Sequence, residues 1–203
     1  MILDLIGQEI KNKNILDVGC GDGVISYLLA KKGAKVIGID NSEIAINFAK
    51  EKCIDLNNVE FLVASAHRLP FESKTFDYIV SSEVIEHLNN PDKMLYEIKR
   101  IWNKKGKIII TTPIKFSKNP LDMMHYQEFF QEDFIVALEK YFEDIKIIKS
   151  HPLFWMEFQN KLIFGHSFTK IFFNCLNIFF GFNPFKNIKG WKYYTLQTAV
   201  ISK

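Results

Sequence analysis

The chain is poor in cysteine, has no dense block of basic residues, and has no long apolar run free of polar side chains. Each shortage removes a class of function. Its three cysteines, Cys20, Cys53 and Cys175, lie far apart and form no CxxC pair, so neither a disulfide framework nor a cysteine-held zinc module is encoded. No secretory leader is read ahead of them, and reduced thiols in a cytoplasmic protein are expected. Lysine and arginine cluster no further than the pairs Lys31-Lys32, Lys99-Arg100 and Lys104-Lys105, and the formal net charge is only +3. No nucleic-acid partner is expected, because that recognition needs a basic stripe or patch.

What is present is the composition of a folded domain, with 48% hydrophobic and 24% charged residues in 203. That length suits one domain, residues 1–203, burying most of the apolar surface of its unfolded chain. Short β-branched runs alternate with amphipathic segments, the pattern of a mostly parallel sheet with helices on both faces. Strands are expected at 14–18, 35–39, 59–63, 76–81 and 107–112, all short and apolar as buried parallel strands are. Ser42 is placed to cap a helix carrying Ile44, Ala45, Phe48 and Ala49, and Asn90-Pro91 to open one carrying Met94, Leu95, Ile98 and Trp102. Gly33 and Gly106 stop helices after lysine pairs. A helix near 132–141 then precedes strands at 144–150 and 196–202.

The most specific local signal is Asp17-Val18-Gly19-Cys20-Gly21-Asp22-Gly23, a glycine-rich turn between a strand and a helix. Without side chains, the backbone can approach a ligand closely there. It departs from the dinucleotide fingerprint, because its third glycine falls one residue early and an acid, Asp17, precedes it. A ligand with a positive group fits better than a pyrophosphate.

This heptapeptide resembles the first motif of class I S-adenosylmethionine (SAM) dependent methyltransferases, and three further segments follow in that family's order. Asp40 ends the second strand, where the family's acid binds the ribose hydroxyls. Residues 61–71, ending in Leu69-Pro70-Phe71, resemble the third segment, and Phe76-Asp77-Tyr78-Ile79-Val80-Ser81-Ser82-Glu83 the fourth. The resemblance spans roughly residues 14–150. It implies a Rossmann-like α/β fold with a seven-stranded, mostly parallel sheet whose last strand is antiparallel. It also implies SAM contacts from Asp17, Gly19, Cys20, Gly21, Gly23, Asp40, Asn41, Ser65, Ala66 and Ser82. One departure is Ser65, which stands where many relatives carry an acid for the adenine amine.

After the fourth strand comes Glu83-Val84-Ile85-Glu86-His87. On a helix, positions i, i+3 and i+4 share a face, so Glu83, Glu86 and His87 are expected to converge. With His125, the element resembles that of metal-dependent O-methyltransferases of quinone biosynthesis and small-RNA modification, which implies a divalent cation (Mg²⁺, Mn²⁺ or Zn²⁺) that lowers a hydroxyl pKa. Three readings stay open: Glu83, Glu86, His87 and His125 as cation ligands, His87 and Glu83 as metal-free catalytic groups, or His87 as a packing residue.

Residues 152–194 differ in character. From 151 onward the chain holds 14 of its 29 aromatics and six lysines against one acid, Glu157. About 40 residues are too few for a second core, so this is an insert between the last two strands. With only about 13 residues ahead of the first strand, no lid helices are expected there, and the insert takes their place. Within 162–182 the residues His166, Lys170, Asn174 and Asn177 form one polar stripe on a helix, which argues against a membrane span. A lid helix and a helix resting peripherally on a membrane both remain, and both favour a small-molecule or lipid-linked acceptor. The expected function is methyl transfer to a hydroxyl. The alternatives are transfer to carbon or nitrogen, or a SAM-binding partner protein without catalysis.

Overall fold

The computed structural model describes residues 1–115, 124–152 and 194–203. The insert, including the 162–182 helix, therefore lies outside the described residues except at its two ends. Seven strands form one sheet: β1 (Asn14–Val18), β2 (Lys35–Asp40), β3 (Val59–Val63), β4 (Tyr78–Ser82), β5 (Ile108–Pro113), β6 (Asp144–Pro152) and β7 (Tyr194–Ser202). Their order is β3-β2-β1-β4-β5-β7-β6. β7 runs antiparallel to both neighbours, and the first five strands pair in parallel. The sequence reading of a mostly parallel sheet with an antiparallel last strand holds.

The α-helices among the described residues are α1 (Ile2–Ile6), α2 (Val24–Lys31), α3 (Glu43–Lys52), α4 (Pro91–Ile101) and α5 (Gln131–Glu139). The expected caps form: the Ser42 side chain accepts from the Ala45 amide and that of Asn90 from the Lys93 amide. Along α4, Met94, Leu95, Ile98 and Ile101 are fully buried against the β4–β5 side of the sheet. On the other face, Ile6 and Ile10 join Leu29, Val36 and Ile109.

Four expectations are corrected. Gly106 stops no helix, because α4 already ends at Ile101 and Trp102 follows in extended conformation. β4 begins at Tyr78 rather than residue 76, because Phe76 pairs in a single bridge with Trp102 while the Trp102 indole donates to the Asp77 carbonyl. The buried stripe of α3 is Ile46 and Ala49, with Ile44 and Phe48 exposed. The segment before β1 carries the short helix α1, which no periodicity had marked.

The strand order places the site. Chain progression reverses between β1 and β4, and in open parallel sheets the crevice beyond the carboxyl ends of such a pair is where ligands bind. The loops at that crevice are the glycine turn after β1 and the Glu83–His87 stretch after β4.

Candidate active site

The glycine turn is fixed from within. The Gly19 and Cys20 amides both donate to the Ile39 carbonyl, at 2.8 and 2.9 Å, and the Gly23 amide donates to the Cys20 carbonyl at 2.9 Å. The Gly21 amide donates to Asp40 Oδ2 at 3.0 Å, and Asp40 Oδ1 accepts from the Ser42 amide at 2.9 Å. These four loop amides are thus satisfied by the protein, which leaves a shaped backbone instead of an anion cradle. That agrees with the absence of a phosphate fingerprint. Gly19 has φ +69°, and a Cβ there would stand 2.3 Å from Val84 Cγ2. The first loop therefore rests directly on the second.

Beneath the turn, Asp17 is buried and accepts a 2.6 Å hydrogen bond from the Ser26 hydroxyl. Burial pushes its pKa up to about 6, against the lowering effect of Ser26. Its Oδ1 has no partner among the described residues. An under-satisfied buried carboxylate below a ligand loop favours a cationic group above it.

A cavity of about 530 Å³ opens at this crevice. Gly19, Gly21, Asp40, Asn41, Ser65, Ala66, Glu83 and His87 all line it, joined by Val84, His67, Leu88, Asn89 and Tyr126. These last five carried no sequence signal of their own. The remaining expected contacts sit elsewhere. Asp17 lies below the turn. Cys20 turns its thiol into a cluster with Ile46, Ala49, Cys53 and Phe61, where burial raises its pKa. Gly23 is packed against Ala49 and Phe61, and Ser82 hydrogen-bonds Thr111 at 3.0 Å beside a second cavity.

The loop after β4 departs from the expected helix. Only Ile85–His87 form a 3₁₀ turn, and Glu83 precedes it with φ +55°. The Glu83 amide is held by the Thr111 carbonyl at 3.0 Å and hydroxyl at 3.2 Å. Glu83 therefore leaves the helical path, and the shared face predicted for Glu83, Glu86 and His87 does not exist. Glu86, His87 and His125 do converge: each offers a ligand atom, all within 4.8 Å of one another.

This trio is buttressed. Glu86 is fully buried, its Oε2 accepts from the Thr112 hydroxyl at 3.0 Å, and burial raises its pKa. Glu86 Oε1 has no partner among the described residues. His87 Nδ1 lies 3.1 Å from the Met124 carbonyl and His125 Nδ1 lies 2.9 Å from Glu128 Oε1, with the rings edge-to-face at 4.8 Å. A ring whose Nδ1–H is given to a carbonyl or carboxylate keeps Nε2 as a lone-pair donor, the usual support of a metal-bound histidine. The amides of Tyr126 and Gln127 donate to the Glu86 carbonyl, strapping the His125 loop onto this turn. Ligand atoms about 2.0–2.1 Å from one tetrahedral Zn²⁺ stand roughly 3.3 Å apart, so a cation held by this trio would draw its ligand atoms together by up to about 1.5 Å. The donor set of one carboxylate and two imidazoles fits a transition-metal ion better than Mg²⁺.

Among known proteins, a family model described as a methyltransferase domain matches residues 9–164. A ubiquinone biosynthesis O-methyltransferase of Coxiella burnetii is 35% identical over 113 residues, 54% of this chain and 48% of that protein. A ubiquinone/menaquinone biosynthesis C-methyltransferase of Rickettsia prowazekii is 39% identical over 116 residues, 53% of this chain and 46% of that one. The chain spans about half the length of these curated relatives. The solved structure of phosphoethanolamine N-methyltransferase 2 of Haemonchus contortus with SAM aligns over 100% of this chain and 51% of that one, at TM-score 0.71 and 21% identity. At that identity the likeness concerns the fold.

Proposed function

The chain belongs to the class I SAM-dependent methyltransferases, and from that premise we propose that it methylates a hydroxyl on a small, hydrophobic or lipid-linked acceptor. The observation that carries this reading is the single cavity bounded by Gly19, Gly21 and Asp40 on one side and by Glu83 and His87 on the other. A cofactor held on the first side presents its reactive end to ionisable groups on the second. SAM supplies a methyl group already activated on a sulfonium, so what the protein adds is orientation and removal of the acceptor's proton.

Asp40 would hold the ribose, Ser65 and Ala66 would flank the adenine, and Asp17 would favour the cationic end from below. Glu86, His87 and His125 would hold a divalent cation, whose chemistry is to lower a bound hydroxyl's pKa. The proposal for the cation rests on the convergent trio and on the buried Glu86 Oε1, which has no partner among the described residues. Transfer to carbon is the second reading, favoured by the similarity to a C-methyltransferase. In that reading His87 serves as a metal-free base. No helix among the described residues is long and apolar enough to cross a membrane; peripheral contact through 162–182 is part of the lipid-linked proposal.

Calorimetry with SAM and S-adenosylhomocysteine tests the cofactor half. Asp40→Ala should weaken SAM by roughly 1.5–3 kcal/mol, the worth of hydrogen bonds to a charged group, and unchanged affinity would remove Asp40 from the site. Turnover of labelled SAM against acceptor mixtures, with and without EDTA, separates the cation reading from the metal-free base.

A further inference from the structure

A second cavity, of about 350 Å³, lies beside the cofactor cavity and shares Glu83 with it. Its wall is mainly apolar, from Met1, Ile2 and Leu3 at the chain's start, Ile25 and Leu28 of α2 and Leu196, while Ser82, Glu83, Thr111 and His151 supply its polar lining. We infer that this cavity receives the apolar body of the methyl acceptor, with the acceptor's hydroxyl hydrogen-bonded to the Glu83 carboxylate between the two cavities. The inference rests on the methyltransferase reading above and adds to it the place and chemical class of the acceptor.

Three observations carry it. The volume lies within the range of small-molecule sites, which are mainly apolar with a few placed polar groups. The neighbouring hydroxyls are already occupied, since Ser82 and Thr111 bond each other at 3.0 Å and Thr111 also takes the Glu83 amide. That leaves the exposed Glu83 side chain as the group facing both cavities. Finally, Glu83 is held at φ +55°, a left-handed conformation that costs a non-glycine residue about 1–2 kcal/mol and that proteins retain mainly at functional sites. Thr111 holds the Glu83 amide there, so the Glu83 side chain leaves the helical path while still lining the same cavity as His87.

The chemistry of a carboxylate then defines the acceptor class. An ionised carboxylate accepts hydrogen bonds and donates none, so it recognises an acceptor that still bears its O–H. The methyl ether product has lost that donor. Seated in the same place, it would leave Glu83 desolvated and unpaired, which favours its departure. His151 bonds the Ser150 hydroxyl at 3.1 Å and is kept toward its neutral form, first by burial and then by the nearby N-terminal charge. It therefore adds no competing positive partner for Glu83.

The test is calorimetric binding of phenol and 4-alkylphenols of increasing chain length to the protein saturated with S-adenosylhomocysteine. Affinity should rise about four-fold per methylene until the cavity is full, the factor expected for burial of a CH₂. The matched 4-alkylanisole should bind at least about ten-fold more weakly, and Glu83→Met should abolish that preference. Leu28 is 39% exposed, so Leu28→Trp can fill the cavity without disturbing the core. It should erase the chain-length dependence and leave S-adenosylhomocysteine affinity unchanged. Normal S-adenosylhomocysteine binding with no chain-length dependence, or with the same dependence in Leu28→Trp, overturns the inference. Failure of S-adenosylhomocysteine itself to bind would strike the cofactor reading instead.

Discussion

The loops after β1 and β4 face one another across the same crevice, yet the first is made of backbone and the second of side chains. In the glycine turn, four amides are satisfied by Ile39, Asp40 and Cys20 before any ligand arrives. In the Glu83–His87 stretch, a carboxylate oxygen lacks a partner among the described residues, a non-glycine residue sits in left-handed space, and Glu86 and His87 converge with His125. The first loop stores shape, which a fixed cofactor needs. The second stores unmet polar capacity, which is what chemistry on a changing acceptor uses. They are coupled at one contact, Gly19 against Val84.

Breaking that contact should have the largest effect. Gly19→Ala brings a Cβ to 2.3 Å from Val84 and places a side chain at φ +69°. Overpacking and left-handed strain together should cost about 3 kcal/mol and suppress SAM binding. Val84→Ala in the same chain should recover the overpacking share, leaving only the strain. Chemical denaturation and calorimetry on the parent and the two variants read both parts. If Val84→Ala restores nothing, the loops are not coupled there.

Asp17 sharpens the contrast, because its Oδ1 is buried beneath the glycine turn with no partner among the described residues. Its folded pKa of about 6 exceeds that of an unfolded aspartate. The folded state therefore holds this proton more tightly, and stability falls as pH rises from roughly 4 to 6. The loss reaches at most about 3 kcal/mol. Asp17→Asn should remove it. The ligand-free variant should melt higher than the parent at pH 7.5 and near it at pH 4.5, while binding SAM less well. Identical pH profiles for the two proteins would show that Asp17 is not the source.

The same contrast explains what could be read from the sequence. Glycine spacing and the strand-end acid encode a backbone shape directly, so Gly19, Gly21 and Asp40 were legible and all line the cavity. Cys20 and Gly23 belong to the same motif but support it from beneath, which spacing alone does not distinguish. Around the second loop, the spacing of Glu83, Glu86 and His87 predicts a helical face, but Thr111 draws Glu83 out of line from 28 residues downstream. A local pattern carries no trace of that bond. The partners of His87 and His125, Met124 and Glu128, were equally hidden, although Glu128 follows His125 at a spacing of three. On α3, the apolar residues Ile44 and Phe48 suggested a buried face, but contact with β2 and β3 selects Ile46 and Ala49.

A change confined to the second loop should leave the first untouched. Glu128→Gln keeps an acceptor for His125 Nδ1 but removes the buried charge 2.9 Å away. If the trio binds a cation, Mn²⁺ or Zn²⁺ affinity should drop about 10–100-fold, the usual penalty for losing a histidine's outer partner. SAM affinity measured in EDTA should not change. Metal titration followed by calorimetry separates the two, and equal metal affinity in parent and variant would leave His125 as a packing partner of His87.

The smallest expected effect runs in the opposite direction, because it adds a group instead of removing one. Ser65, where the sequence resemblance implies an acid for the adenine amine, lines the cavity beside the glycine turn and is exposed. Its hydroxyl accepts from the His67 amide at 3.2 Å, capping the turn. Aspartate can make the same cap with one oxygen and offer the other to an amine donor, so Ser65→Asp should preserve the turn. Because the position is open to water, the gain is limited to about 0.5–1 kcal/mol, or roughly two- to five-fold in SAM affinity. The same substitution should leave binding unchanged for a SAM analogue whose adenine amine is replaced by hydrogen, which isolates the new bond from any general electrostatic attraction to the sulfonium. Equal gains for both ligands would mean that the aspartate acts through charge alone and that residue 65 does not read the adenine edge.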